Sequence, residues 1–282
     1  MILGLVVAVL VSPARAADTS ARRIITIAPH AAEIIGALGA GDRLVGVSKF
    51  CVYPPELAQR ARVGGLFDAD LERIVILRPD LIVLRGHNES VERLATSLGV
   101  TVYFDKTDTI AGISQCVREL AKRVDRVKAG EALVATFESR LSAVRRRVAG
   151  QKRPRVLLTV SRLRGKLANI LTSSHGTFLD EMIEIAGGEN AFGHLDMTYP
   201  QVSPESIAAQ RPDVILEFMP GADASPQKLA ALRHEWAALR AVPAVKNDRI
   251  FIITEDHCLM PSPRFADIVE KVARLLHPER PK

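Results

Sequence analysis

Along the chain, short unbroken apolar runs alternate with stretches in which apolar residues recur every three or four positions. RIITIA at 23–28, RLVGVS at 43–48, LIVL at 81–84 and RVLLTV at 155–160 read as strands. AAEIIGAL at 31–38, stopped by Gly39, and TFLDEMIEIA at 177–186, ended by Gly187 and Gly188, read as helices. Strands that alternate with helices predict an α/β architecture with largely parallel sheets.

The longest periodic stretch predicts one helix over 127–151. Leu133, Phe137, Leu141, Val144 and Val148 follow a 4, 4, 3, 4 spacing and therefore share one face. About 24 residues at 1.5 Å each make a rod of roughly 36 Å, long enough to bridge two lobes. The chain divides accordingly into a lobe at 22–126, the rod, and a lobe at 152–277.

One phrase occurs in both lobes, 133 residues apart. ERIVILRPDLIVL at 72–84 and ESIAAQRPDVILE at 205–217 share Glu-x-Ile-x-x-x-Arg-Pro-Asp-x-Ile. Asp70 and Ser203 stand two positions before the glutamates as N-caps, with Pro204 at the first helical position of the second copy. Each helix ends before Arg-Pro-Asp, and a strand follows. Glu72 and Glu205 thus lie in the first turns of matching helices, where a carboxylate complements the helix dipole. Glu33 and Glu181 also hold matching places, each followed by a glycine six residues later.

Composition narrows the class. Of 282 residues, 48% are hydrophobic and 25% charged, which describes a globular protein without low-complexity tracts. The opening MILGLVVAVLVSPARA ends in Ala-Arg-Ala and reads as a signal peptide at 1–16, cleaved after Ala16 for export to the periplasm. No other window approaches the ~18 to 20 apolar residues of a membrane span. The formal charge of +6 falls to +5 when Arg15 leaves with the signal. Its scattered arginines, such as Arg145, Arg146 and Arg147, lack interleaved aromatics, so no nucleic-acid face is expected. Cys51, Cys116 and Cys258 are an odd set, of which at most one pair can bridge.

RIITIAPHAAEIIGALGAGDRLVGVS, YPPE, GGLFDADLERIVILRPDLIVL, AGGENAF and YPQVSPESIAAQRPDVIL together resemble the periplasmic binding proteins for cobalamin and iron chelates. The resemblance covers roughly residues 22–275. It implies two Rossmann-like lobes joined by one long α-helix, a metal chelate held in the cleft as cargo with no intrinsic cofactor, and a monomer that docks onto the permease dimer of an ABC importer with its ATPase subunits. Glu72 and Glu205 match the acidic residues by which that family meets its permease. Tyr53 and Tyr199 match places where cobalamin binders set ring-stacking aromatics, and Phe67 neighbours another. Asp256 matches as well. Leu84, before Arg85, stands where the cobalamin pattern carries Trp, and Met260 where Arg is typical, so the implied cargo class is a corrinoid, haem or siderophore-like chelate.

Histidines supply further candidates, because ligands of open parallel sheets sit at the carboxyl ends of strands. His30, His87, His175 and His257 fall in such segments, and His30, His87, His257 and Cys258 offer nitrogen and sulfur to a soft metal. The alternatives are capture of a bare transition-metal ion, or a metallochaperone or enzyme on the same body. No Gly-x-Ser-x-Gly elbow, Walker loop or His-Glu-x-x-His helix is present. Asp256 and His257 are neighbours whose side chains are expected to diverge rather than pair, as are His257 and Cys258.

Overall fold

The computed structural model describes residues 20–278; the leader expected at 1–16 lies outside the described residues. The first lobe runs β1 (Ile24–Thr26), α1 (Pro29–Ala37), β2 (Leu44–Val47), β3 (Ala61–Arg62), α2 (Leu71–Leu77), β4 (Leu81–Leu84), α3 (Glu89–Leu98), β5 (Thr101–Phe104) and α4 (Ile110–Arg123). Its five strands pair in parallel in the order β3-β2-β1-β4-β5. The chain winds outward from β1 in both directions, so the β1/β4 boundary is the switch point where such sheets open a crevice.

Alternation along the strands divides the core into two layers. Ile24, Leu81 and Val83 pack against α1 and α4 residues such as Ile34, Ile35 and Leu120. Ile25, Ile82 and Leu84 pack against Ile74 of α2 and Val91 of α3. Continuous apolar strands are what a sheet covered on both faces requires.

A single helix follows, α5 (Val127–Val148), 22 residues or about 33 Å long. It ends three residues short of the expected 151, because Ala149 leaves helical backbone and Gly150 turns at φ 76°. Leu133 and Val134 join the first lobe's core, whereas Phe137, Leu141, Val144 and Val148 join the second's. The expected apolar face is real, and it is shared between two bodies. Ion pairs fasten it on both sides: Arg118 of α4 reaches Glu131, and Arg140 reaches Glu270 of the last helix.

The second lobe runs β6 (Arg155–Ser161), β7 (Ile170–Thr172), α6 (Phe178–Ile185), β8 (Glu189–Asn190), β9 (Gln201–Val202), α7 (Pro204–Gln210), β10 (Val214–Phe218), α8 (Pro226–Glu235), α9 (Pro243–Lys246), β11 (Ile250–Ile253) and α10 (Phe265–Leu276). β6, β8, β10 and β11 are mutually parallel, while β7 is antiparallel to both β6 and β9. Sequence alternation does not announce β7. The chain doubles back through 162–169, with Leu163 N–H on the Ala168 carbonyl and Asn169 at φ 53°.

The repeated phrase has one structure in both lobes. Asp70 accepts from Arg73 N–H, and Ser203 forms a reciprocal capping box with Ser206. Arg78 and Arg211 end their helices in left-handed conformation at φ 46° and 51°. The following Asp80 carboxylate accepts from Arg22 and Arg23 N–H, and Asp213 accepts from Arg155 N–H. The phrase therefore stops a helix and then ties the next strand to the start of the central one.

Candidate functional site

Loops at the carboxyl ends of both sheets converge on one interface. Behind β2, Tyr53 lies under Arg264 of the loop after β11, with the guanidinium carbon 3.7 Å from the ring centroid. Arg264 also pairs across the lobes with Glu33 of α1, whose side chain is only 5% exposed, through Nε at 3.0 Å and through Nη2. Behind β5, the Asp108 carbonyl accepts from Phe178 N–H at 2.6 Å, and the Glu181 carboxylate accepts from Ile110 N–H at 2.5 Å. Each lobe thus sends a glutamate from its first helix to the amino end of the other lobe's last helix.

Loops of both lobes expose large apolar side chains. Phe50, Val52, Tyr53 and Phe67 do so on the first lobe, with Phe67 95% exposed; Leu163 and Met197 do so on the second. Burying such surface yields roughly 25 cal/mol per Å². Phe50, Val52 and Met197 escaped notice in the sequence, although each sits within three residues of a candidate tyrosine.

Tyr199 is half-buried and within electrostatic reach of the first lobe's Arg85, which pairs with Asp108 at 3.1 Å. Burial pushes its phenol up, Arg85 draws it down and Asp108 adds to the rise. That mutual influence joins residues of opposite lobes at one point.

The histidines do not assemble. His30 is buried, with Nε2 3.2 Å from Asp105 Oδ1 and 3.5 Å from Thr107, so it serves the first lobe's interior. His87 is exposed, beside Glu92 at 3.2 Å and against the Phe104 ring. His175 is exposed next to Ser174. Among the described residues no group of three or more His, Cys, Asp or Glu could hold a metal ion. Cys258, expected as a sulfur donor, is instead buried in the second core, its thiol toward the Ile253 carbonyl and pushed up to about 12 chiefly by burial. A protonated, enclosed thiol is a poor metal ligand. Cys51 and Cys116 are likewise buried and free.

Asp256 and His257 correct the expectation that neighbouring side chains diverge. The turn at 256–259 brings Asp256 Oδ1 to 2.9 Å from His257 Nδ1, and Arg264 Nη1 lies 3.3 Å from the same nitrogen. His257 Nε2 is 3.6 Å from Asp267. Burial acts to raise the Asp256 carboxyl, but the His257 hydrogen bond and the Arg264 charge outweigh it and hold it low. Asp256 is thereby an anchor for the Arg264 latch. Met260 sits half-buried in the same loop, its N–H on the His257 carbonyl.

Sequence reading also missed a charged centre inside the second lobe. Arg162 and Glu217 are 4% and 3% exposed and bond at 2.7 Å, while Trp236 Nε1 donates to the other Glu217 oxygen at 2.8 Å. An arginine after a strand and a glutamate inside VILEF were the available signals.

Glu72 and Glu205 are both exposed in the first turns of α2 and α7. β9 is antiparallel to β7, which is antiparallel to β6, so β9 runs with β6 and β10. α7 therefore opens at the carboxyl side of its sheet, as α2 does after β3. A hydrogen bond with Ser203 holds the Glu205 carboxyl low, in its charged form.

Among the described residues no helix is long and apolar enough to cross a membrane. Residues 24–257 match the family described as Periplasmic binding protein. The vitamin B12-binding protein of Vibrio cholerae is 32% identical over 259 residues, which is 91% of this chain and 89% of that protein. The crystal structure of the periplasmic vitamin B12 binding protein BtuF of Vibrio cholerae superposes with a TM-score of 0.77 at 32% identity, covering 91% of this chain and 96% of that one. The periplasmic heme-binding protein RhuT from Roseiflexus sp. RS-1 superposes with a TM-score of 0.75 at 25% identity, covering 92% and 98%.

Proposed function

This chain belongs to the periplasmic binding protein family, and on that premise we propose that it captures a metal chelate between its lobes and delivers it to an ABC importer. Residues 22–126 and 152–277 are the jaws, and the processed chain, freed of residues 1–16, works as a periplasmic monomer. The cargo is a corrinoid or haem, the chelates named for the similar proteins above, or a ferric siderophore. One observation carries this reading: the two lobes meet through the Arg264–Glu33 and Ile110–Glu181 contacts, and loops of both lobes expose Phe50, Tyr53, Phe67 and Met197, apolar surface suited to a planar guest. Dispersed histidines, with no cluster able to hold an ion among the described residues, favour the chelate over the bare metal.

Tyr53 and Tyr199 stack on the guest, Arg85 and Asp256 anchor its polar rim, and His87, His175 or Met260 reaches an open axial position of the metal. Glu72 and Glu205 meet basic pockets on the two permease subunits. Exposed ion pairs are worth about 0–1 kcal/mol each, so the two carboxylates orient the docked protein more than they hold it.

Titration with hemin, dicyanocobinamide and zinc chloride tests this reading. A shifted visible band with either chelate supports it; tight zinc binding with neither chelate bound overturns it. Glu72→Ala with Glu205→Ala abolishes uptake in vesicles carrying the importer and leaves chelate affinity within about twofold, since distant sites act independently. Loss of affinity in that double variant contradicts the docking role.

A further inference from the structure

Tyr53 follows β2 in the first lobe and Arg264 precedes α10 in the second, yet the two are stacked, with the guanidinium carbon 3.7 Å from the ring centroid. Glu33 grips the same guanidinium through Nε at 3.0 Å and through Nη2, and Asp256 lies 3.5 Å from Nη1. The first lobe therefore holds one arginine of the second in two ways, by a carboxylate on its nitrogens and by an aromatic ring on its face. Beside them, between α1, α5 and the start of α10, lies a cavity of about 210 Å³ lined by Glu33, Tyr53, Phe137, Arg140, Arg264 and Asp267, among others. On that side the ring borders space rather than packed side chains, and Arg264 sets its tilt.

Contact at this distance leaves no room for a guest on the covered face. Tyr53 is nonetheless 39% exposed, so its free area is the opposite face and the edge. A planar guest that stacks on Tyr53 takes the free face and completes three layers: guanidinium, phenol ring, guest. A guanidinium is flat and can back a ring in this way, whereas an ammonium is a compact point charge. When the lobes part, Arg264 leaves Glu33 and the ring together. The ring is thus held for stacking only while the lobes are latched, and a guest that prefers the held ring favours the latched state to the same extent.

We infer that Arg264 is a positioning residue for the cargo: from the opposite lobe it backs the Tyr53 ring, fixes the plane on which the chelate stacks, and couples seating of the cargo to latching of the lobes. The inference rests on the stacking role of Tyr53 proposed above and adds a residue that acts without touching the guest.

Arg264→Lys, alone and combined with substitutions of Tyr53, tests it by titration with hemin and dicyanocobinamide. Lysine keeps a cation for Glu33 and Asp256 and removes the flat group, so the charge of the latch stays while the backing is lost. The single variant binds the chelate about fivefold more weakly, the size of one cation–π contact. In Tyr53→Leu, which has no ring to back, the same lysine substitution changes affinity by less than about twofold. In Tyr53→Phe, which keeps a ring, the fivefold loss returns. An equal loss in the parent and in Tyr53→Leu assigns Arg264 to the latch alone and overturns the inference, as does unchanged affinity in the single variant; the chelate reading stands in both cases. If Tyr53→Leu itself binds like the parent, Tyr53 is no stacking residue and the inference falls while the chelate reading survives. If neither hemin nor dicyanocobinamide binds the parent protein, both fall.

Discussion

After the same Arg-Pro-Asp, the first lobe's strand carries Leu84 and the second's, 133 residues later, carries Glu217. Both side chains are buried at the carboxyl end of the sheet. Leu84 packs among Ile25, Ile82 and Val91 and asks nothing of its surroundings. Glu217 requires Arg162 and Trp236 around it. The two lobes keep one scaffold through the phrase that caps the helix and ties the strands, then part near the carboxyl end of the strand that follows it.

Making the lobes alike at this position has the largest expected effect. Glu217→Leu strands the Arg162 guanidinium in the interior and lowers stability by about 3–5 kcal/mol. Adding Arg162→Met restores most of that loss, because replacing both partners removes the uncompensated charge. Denaturant unfolding of both variants checks this. A single-variant loss below about 1 kcal/mol would show that Glu235 alone satisfies Arg162, and the contrast with Leu84 would then carry no energetic meaning.

The two interlobe latches sharpen the comparison at a smaller scale. Glu33 meets a side chain, Arg264, whereas Glu181 meets a backbone amide, Ile110 N–H. Glu33→Gln leaves Arg264 half-compensated by Asp256 at 3.5 Å and costs about 2 kcal/mol, between an exposed and a fully buried pair. Glu181→Gln keeps an amide oxygen for the same N–H and costs about 1 kcal/mol. Interdomain distances by double electron resonance, with spin labels on each lobe, separate the two: Glu33→Gln broadens the distribution and Glu181→Gln leaves it narrow. Equal broadening would mean that α5 alone sets the spacing.

Most of this scaffold is legible in the chain. Two-sided strands, capped helices and the repeated phrase are local patterns, and the α5 face repeats at helical period. The relation between distant residues is not local. Glu33 and Glu181 advertise matching places, but nothing near them names Arg264 or Ile110. His30 and Cys258 sit at strand ends, where ligands gather, yet burial assigns them to the interior. β7 escapes because three residues, ILT, give too little alternation to distinguish a strand from a loop. Asp256 and His257 pair because a tight turn overrides the usual divergence of neighbours.

Histidine-aspartate pairs at the sheet ends yield the smallest contrast. His30 with Asp105 is enclosed, at 3% and 0% side-chain exposure, whereas Asp256 beside His257 is 42% exposed. The folded Asp256 carboxyl titrates below its ordinary value, so its contribution is fully present above the unfolded value of about 3.9 and is lost only as pH falls through the lower folded one. Solvent screening limits the gain to under about 1 kcal/mol. Urea unfolding of the parent and Asp256→Asn at successive pH values should give a constant difference from neutrality down to about pH 5 and a shrinking one below about pH 4. Subtracting the variant cancels every other carboxylate common to both. A difference that closes above about pH 6 would assign the effect to a group other than this carboxyl, and the Arg264 latch would then lose Asp256 as its second support.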